Sequence, residues 1–467
     1  MERIAICGGR LLTPQGILEQ HILLAEDGVI TAIIPEITPI STDYRRVDAK
    51  GQYVSPGFVD IHQHGAGGSD YMEPDADTYY TVLSTHLKYG TTSVMPTLMS
   101  ASAEHTIRAA RQYVRALADP RISCNLLGLH VEGLYISPEQ AGAQNQKQIK
   151  AFDPAEYHAI CEAAEGHLRR WSVAPELPGA DEFARFARDN RITLSIAHSD
   201  ADFDTVCRAF EIGYRHITHL YSGCSSVVRK NGFRIAGVVE AAYYLDDMDV
   251  EIIADGCHLP LSLLKLITKL KKPEHIALIT DSIRPTGLDV RESFSGSSDD
   301  PIPIVVEDGV AKLLNRQAFA GSIATSDRLI RTMLQAGIAL EDAVRMVTVH
   351  PLRQMGAGMK KGVLQEGFDA DLCIFDEKIH VTQVLIHGKR CIKTLRQHNA
   401  LPQQECMLDA KEGTRGSELS FSSSFTFHLY LLPVPFLHAR SCCKNGITLL
   451  LPQDSAIPFL HSRIGRV

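Results

Sequence analysis

The sequence predicts an α/β fold: a (β/α)8 barrel of the TIM type with a small β-sandwich built from both chain ends. Three observations predict it. Eight short apolar runs each finish in a polar or ligand-type residue, near His62, Pro96, Glu132, Glu176, His198, His219, Asp255 and Asp281. Amphipathic stretches separate most of these runs, and eight βα units are the count that closes such a barrel. Both flanks of this region alternate apolar and polar residues around turn signals, which is strand patterning.

Taken in order, residues 1–54 read as the N-terminal part of the sandwich. Ile4-Ala5-Ile6, His21-Ile22-Leu23-Leu24 and Gly28-Val29-Ile30-Thr31-Ala32-Ile33 are its strands, with a hairpin turn at Glu26-Asp27-Gly28. Residues 55–354 form the barrel, its helices expected at Asp75 to Lys88, Ala103 to Leu117, Pro154 to Leu168, Asp202 to Ile212 and Leu261 to Lys271. Residues 355–396 supply the C-terminal part of the sandwich, with strands at Asp371-Leu372-Cys373-Ile374-Phe375 and from Val381 to Lys389. From 397 to 467 neither period persists, and a serine-rich stretch from Ser420 to Ser424 precedes an apolar run. This part is expected to be an atypical, poorly ordered tail without chemistry. No fixed-period repeat argues for a solenoid or propeller.

At 467 residues with 45% hydrophobic content, the chain can bury a large core. A net charge of -8 without a Lys/Arg-dense stripe argues against a nucleic-acid footprint. No stretch approaches the ~18 apolar residues of a membrane span, and Met1 to Arg10 do not read as a secretory leader, so a cytoplasmic protein is expected. Eleven cysteines without C-x-x-C spacing read as reduced thiols.

The chemistry is carried by the strand ends. In Asp60-Ile61-His62-Gln63-His64-Gly65 the two histidines point to one face of an extended segment and can grip one metal ion together. The later strand ends add Glu132, His198, His219 and Asp281, giving the nitrogen and carboxylate donors that a hydrolytic metal site needs. Each residue alone has an ordinary reading as a cap or a hydrogen-bonded side chain. His216 lies so close to His219 that one of the two is a bystander. Independent caps do not gather four histidines and two carboxylates at one rim of one barrel.

In order along residues 1–395, the segments from Pro56 to Gly65, Gly90-Thr91-Thr92-Ser93, His130-Val131-Glu132-Gly133, Ala174-Pro175-Glu176, Thr218-His219-Leu220-Tyr221, Ala254-Asp255-Gly256-Cys257-His258, Thr280-Asp281-Ser282, Phe319-Ala320-Gly321-Ser322 and Lys361 to Leu372 resemble the N-acetylglucosamine-6-phosphate deacetylase family of the amidohydrolase superfamily. The resemblance implies hydrolysis of the acetamide of N-acetyl-D-glucosamine 6-phosphate to the free amine and acetate, in amino-sugar catabolism. It makes Glu132, His198 and His219 the main metal site and Asp281 the catalytic acid/base. His62 and His64 then allow a second metal, with Glu132 bridging. One or two divalent ions per chain are implied, with Zn, Fe, Mn and Co all compatible.

Substrate contacts are implied at Ala143, Gln144, Ser222, Gly223, His258, Ala320, Gly321, Ser322 and Ile323, and phosphate binding at Arg229 or Lys230. The family often donates the phosphate-binding arginine across a dimer interface, so a homodimer is implied. The chain departs from the family pattern at Ser222-Gly223 (commonly Asn-Ala), at Leu134-Tyr135 (commonly Pro-Phe or Pro-Trp) and at Gln144 (usually His). These changes leave metal hydrolysis intact and bear on which sugar is read. The competing readings are a deacetylase of N-acetylgalactosamine 6-phosphate or of another N-acyl compound, and a catalytically silent sugar-phosphate-binding paralogue. The silent reading predicts loss of a ligand or the base, and the chain has lost neither.

Overall fold

A computed structural model describes residues 2–356 and 358–393; the expected tail at 397–467 lies outside the described residues. Eight parallel strands form the barrel: Phe58–Gln63, Thr91–Leu98, Leu129–Glu132, Leu168–Val173, Thr193–Ile196, Tyr214–Ile217, Asp249–Ile253 and Ile276–Ile279. They pair in chain order, with register partners such as Val131 and Trp171, then Trp171 and Leu194. Most of their residues are buried on both faces, as strands covered by helices outside and filled by side chains inside must be. The ring closes at its carboxyl end, where the Asp281 N–H donates to the His62 carbonyl at 3.0 Å and the His64 N–H to the Ser282 carbonyl at 2.8 Å.

The helices expected near 75, 103, 202 and 261 occur at Thr78–Leu87, Ala103–Ala116, Phe203–Ile212 and Leu261–Leu270. Side-chain caps explain several starts. Ser102 accepts the His105 N–H, and Asp202 accepts the Thr205 N–H. The third expected helix runs only from Pro154 to Ala163, because Leu168 already belongs to the fourth barrel strand. Ala180–Asp189, Val238–Tyr244 and Ser326–Gln335 are further helices that the sequence reading did not place. A three-stranded antiparallel sheet at Glu292–Ser295, Ile302–Glu307 and Val310–Leu313 was also not foreseen, nor was a hairpin of Val228–Lys230 with Phe233–Ile235.

The chain ends form a separate eight-stranded sheet. Leu372–Phe375 runs antiparallel to Tyr53–Pro56, joining the C-terminal strands to the N-terminal ones, so hydrogen bonding is continuous through one sheet. Ile4, Leu23, Ile30 and Val54 share a core with Leu372, Ile374 and Leu385. Gly57 links this sheet to the first barrel strand. A Cβ there would overlap the Thr92 side chain, so only glycine lets the two strands approach this closely.

The main core includes Trp171, fully buried against Tyr135 and Phe183 with ring centroids 5.8 and 5.1 Å away. Its indole N–H donates to the Gly133 carbonyl at 3.3 Å. The largest fully buried side chain among the described residues therefore fixes the chain immediately after Glu132.

Candidate active site

Two-residue spacing on the first strand brings the Nε2 atoms of His62 and His64 within 3.3 Å of each other. The other groups arrive by a different device. Strand pairing stops at Ile196, Ile217 and Ile279, and two residues later His198, His219 and Asp281 each adopt a left-handed backbone, with φ of 45°, 31° and 47°. Non-glycine residues rarely hold this conformation, which costs roughly 1–3 kcal/mol and clusters at functional sites. The expected strand ends at these residues therefore fall just past the pairing.

Glu132 sits at the centre. Its Oε1 lies 2.7 Å from His219 Nε2 and 3.4 Å from His198 Nε2. Its Oε2 lies 3.2 Å from His64 Nε2 and 3.6 Å from His62 Nε2. Asp281 Oδ1 completes the group, 3.2 Å from His64 Nε2 and 3.5 Å from His62 Nε2. Two sets of ligand atoms, His62/His64/Glu132 and Glu132/His198/His219, each fall within 4.8 Å and share the glutamate.

Hydrogen bonding at the far side of each ring tests whether this set fits a metal. His64 Nδ1 faces the Thr97 carbonyl at 3.2 Å, His198 Nδ1 the Gln140 carbonyl at 2.7 Å, and His219 Nδ1 the Ser222 carbonyl at 3.0 Å. A carbonyl only accepts, so each Nδ1 carries the proton. The neutral rings then present bare Nε2 lone pairs to a carboxylate, an all-acceptor cluster that needs a cation at its middle. The residues fit a divalent metal, with backbone groups fixing the tautomers as in other histidine metal sites. The same demand shows in proton affinity. In place of a metal, a proton would meet that demand: burial alone would lower the His64 imidazole, but the Asp281 and Glu132 carboxylates lift it to about 9. Glu132, despite burial that opposes its charge, is held well below the usual carboxylate range by the surrounding histidines.

A cavity of about 230 Å³ opens onto this cluster, lined by Ala143, Gln144, Ser222, Gly223, His258, Ala320 and Gly321 together with His64, Glu132, His198, His219 and Asp281. Gly223 closes against the His198 ring, where an added Cβ would lie 2.7 Å from Nδ1. His258 is fixed by Asp255, whose Oδ2 accepts from Nδ1 at 2.8 Å and whose Oδ1 accepts the Cys257 and His258 N–H groups. The Gln144 amide is held rather than free. It donates to Glu132 Oε2 at 2.9 Å and accepts the Ser100 N–H at 3.0 Å.

Four expected substrate residues fall elsewhere. Ser322 is buried beneath the rim, its N–H donating to the Asp281 carbonyl at 2.9 Å, and Ile323 packs against the cluster of Ile283 and Ile304. Arg229 and Lys230 stand exposed on the hairpin strand Val228–Lys230 and do not line the cavity. Of the two neighbouring histidines, His216 is the bystander, bonded at the barrel's other end to the Gln354 carbonyl at 2.9 Å. Glu176 accepts from the Ser199 hydroxyl at 2.7 Å and the Asp200 N–H at 2.6 Å, bracing the turn after His198. The sequence reading missed Glu251, which meets His62 Nδ1 at 3.2 Å, and its ion-pair partner Arg170. The available signal was a charge at an interior position of each strand, Arg170 in Leu168–Val173 and Glu251 in Asp249–Ile253.

A (β/α)8 barrel whose strand ends converge four histidines, a shared glutamate and an aspartate on one cleft defines a hydrolase of the metal-assisted type. Residues 53–394 match the amidohydrolase family, and the chain belongs to it. It is 31% identical over 378 residues to an N-acetylglucosamine-6-phosphate deacetylase of Lysinibacillus sphaericus, covering 80% of this chain and 94% of that one. It is 29% identical over 383 residues to an N-acetylgalactosamine-6-phosphate deacetylase of Escherichia coli, covering 81% and 97%. The crystal structure of N-acetylglucosamine-6-phosphate deacetylase from Pasteurella multocida superposes with a TM-score of 0.77 at 26% identity, covering 83% of this chain and 99% of that one.

Proposed function

We propose that the chain hydrolyses the acetamide of N-acetylglucosamine 6-phosphate, releasing acetate and the free amino sugar phosphate in the cytoplasm. The observation that carries this is the convergence of the histidine Nε2 atoms on Glu132 with Asp281 beside them, in a chain whose full-length relatives bear the deacetylase name. His62, His64, Glu132, His198 and His219 would hold one or two divalent metals. Bound there, a metal supplies carbonyl polarisation and a water acidified toward ~7. Asp281 takes the proton from the attacking water and returns it to the sugar nitrogen, because an amine leaves only once protonated. His258, oriented by Asp255, and the Ser222-Gly223 backbone address the sugar.

The 6-phosphate needs a cation, and a guanidinium fork suits it better than an ammonium. Arg229 and Lys230 lie on an exposed hairpin with Val228 at 56% and Phe233 at 74% exposure. Apolar exposure at that level fits burial in a homodimer, where the hairpin of one protomer reaches the substrate of its partner. The galactosamine epimer is a second reading, favoured by the similarity to the Escherichia coli enzyme.

Acetate release from N-acetylglucosamine 6-phosphate, its galactosamine epimer and the unphosphorylated sugar tests the assignment, with metals counted by elemental analysis. Phosphate-dependent turnover on the glucosamine substrate is expected. Turnover confined to the epimer transfers the assignment to it, and a metal-loaded chain inert on all three rejects both.

A further inference from the structure

Below the rim the barrel holds a charged pair that the chemistry above does not use. Arg170 on the fourth strand and Glu251 on the seventh are both fully buried and joined by an ion pair. Arg170 also donates to Ser195 Oγ at 3.0 Å and Thr218 Oγ1 at 3.2 Å. Barrel interiors are normally filled by branched apolar side chains, and a buried ion pair is often no more stabilising than apolar residues of the same volume. Stability is therefore a weak reason for the pair. What it touches is His62, whose Nδ1 donates to Glu251 Oε2 at 3.2 Å.

This sets His62 apart. The other three histidines give their Nδ1 protons to the neutral carbonyls of Thr97, Gln140 and Ser222. A carboxylate behind a histidine fixes its tautomer and also makes the opposite nitrogen a stronger donor. His62 is also the ligand set deepest, with its side chain fully buried, so no solvent can take over the task.

We infer that Glu251, held in place by Arg170, is a positioning residue that equips His62 as a ligand, so that the His62/His64/Glu132 half of the centre depends on it and the Glu132/His198/His219 half does not. The inference rests on the metal-dependent reading above and deepens it. Occupancy at the first half becomes separable from occupancy at the second.

The test is zinc bound per full-length chain, measured by elemental analysis at graded free Zn²⁺ in a chelator buffer. Glu251→Gln keeps the shape and an acceptor oxygen but loses the charge. The pair Arg170→Met with Glu251→Leu removes both charges and the acceptor. Wild type is expected to take up two zinc ions. Glu251→Gln should weaken one of them by about 10–100-fold, the range for loss of such a supporting group. The double variant should hold one, and adding His198→Asn to it should remove that one too. Circular dichroism reports folding, and if the double variant does not fold Glu251→Gln decides. Two zinc ions held with unchanged affinity in Glu251→Gln would overturn the inference, as would a wild type with one zinc that Glu251→Gln leaves unchanged; either result leaves the deacetylase reading standing. A wild type that binds no zinc and gains no activity from any divalent metal overturns that reading itself.

Discussion

Asp281 meets two demands at once: its carboxylate must face the histidines of the first strand, and its backbone must close the barrel. Oδ1 lies 3.2 Å from His64 Nε2, while its N–H bonds the His62 carbonyl and its carbonyl accepts from Ser322. Those two backbone bonds hold the left-handed φ of 47°. Asparagine can occupy the same backbone at little cost, since it tolerates that region. Asp281→Asn should therefore keep fold and metal content while kcat falls by about 10²–10⁴-fold, the usual contribution of general acid–base catalysis; a variant with most of its activity would assign the proton transfer to another group. For the phosphate, Arg229→Ala should raise KM for the phosphorylated sugar at least about 10-fold and Lys230→Ala far less. Equal effects would mean a diffuse charge rather than a fork. At this scale the sequence revealed which residues could ligate, because ligand chemistry is a property of residue type. It did not reveal that the Gln144 amide is committed to Glu132 and Ser100, since that depends on a loop meeting a strand end 12 residues away.

The barrel strands were legible as elements because they are apolar runs ended by polar groups, and the pairing order follows from the βα repeat. Their interior charges were not. Arg170 and Glu251 lie inside strands whose facing is set only once the barrel closes, and nothing local relates residues 81 positions apart. The hairpin at Val228–Lys230 and the three-stranded sheet after Asp281 were also hidden, being short insertions whose strands satisfy one another without a long periodic pattern. Strand ends depend on tight loops, and the third shows how tight. Gly133, with φ of 101°, follows Glu132 directly, and a Cβ there would overlap the Ser100 hydroxyl that accepts the Leu134 N–H at 3.1 Å. Gly133→Ala combines a forbidden backbone with this overlap, so a loss of about 1–3 kcal/mol is expected. Because the shift falls next to Glu132, bound metal should fall with it. A chemical denaturation curve and a metal count on one preparation check both, and an unchanged midpoint would show that the loop yields freely.

Over the whole molecule, the buried histidines outside the candidate centre set how the fold answers acid. Burial holds His86, His216 and His350 neutral, pushing each down to about 4 from an ordinary value near 6.5. Between those values the unfolded chain binds protons that the folded chain refuses, so folding stability must fall as the pH is lowered from about 6.5 toward 4. Each shift is on the order of 3 kcal/mol at full extent. Glu251, where burial raises the carboxyl but the Arg170 charge more than reverses it to about 2, adds a further loss as the pH falls below its ordinary range. Asp60 works in the opposite sense. Burial raises it to about 7 even though Thr280 donates to it, so its contribution is lost as the pH rises from the ordinary carboxylate range through 7. Three histidines shifted this far outweigh Asp60 together with the smaller upward shifts that burial gives Asp70 and Glu176. The thermal midpoint is therefore expected to drop steadily between pH 6.5 and 4.5, and replacing His86, which meets the Ser282 hydroxyl at 2.9 Å through Nε2, by Gln should flatten part of that slope. Midpoints measured across that range in a single low-salt buffer series decide it: a midpoint that holds or climbs on acidification would mean that these histidines take up protons in the folded chain, with water reaching the buried rings.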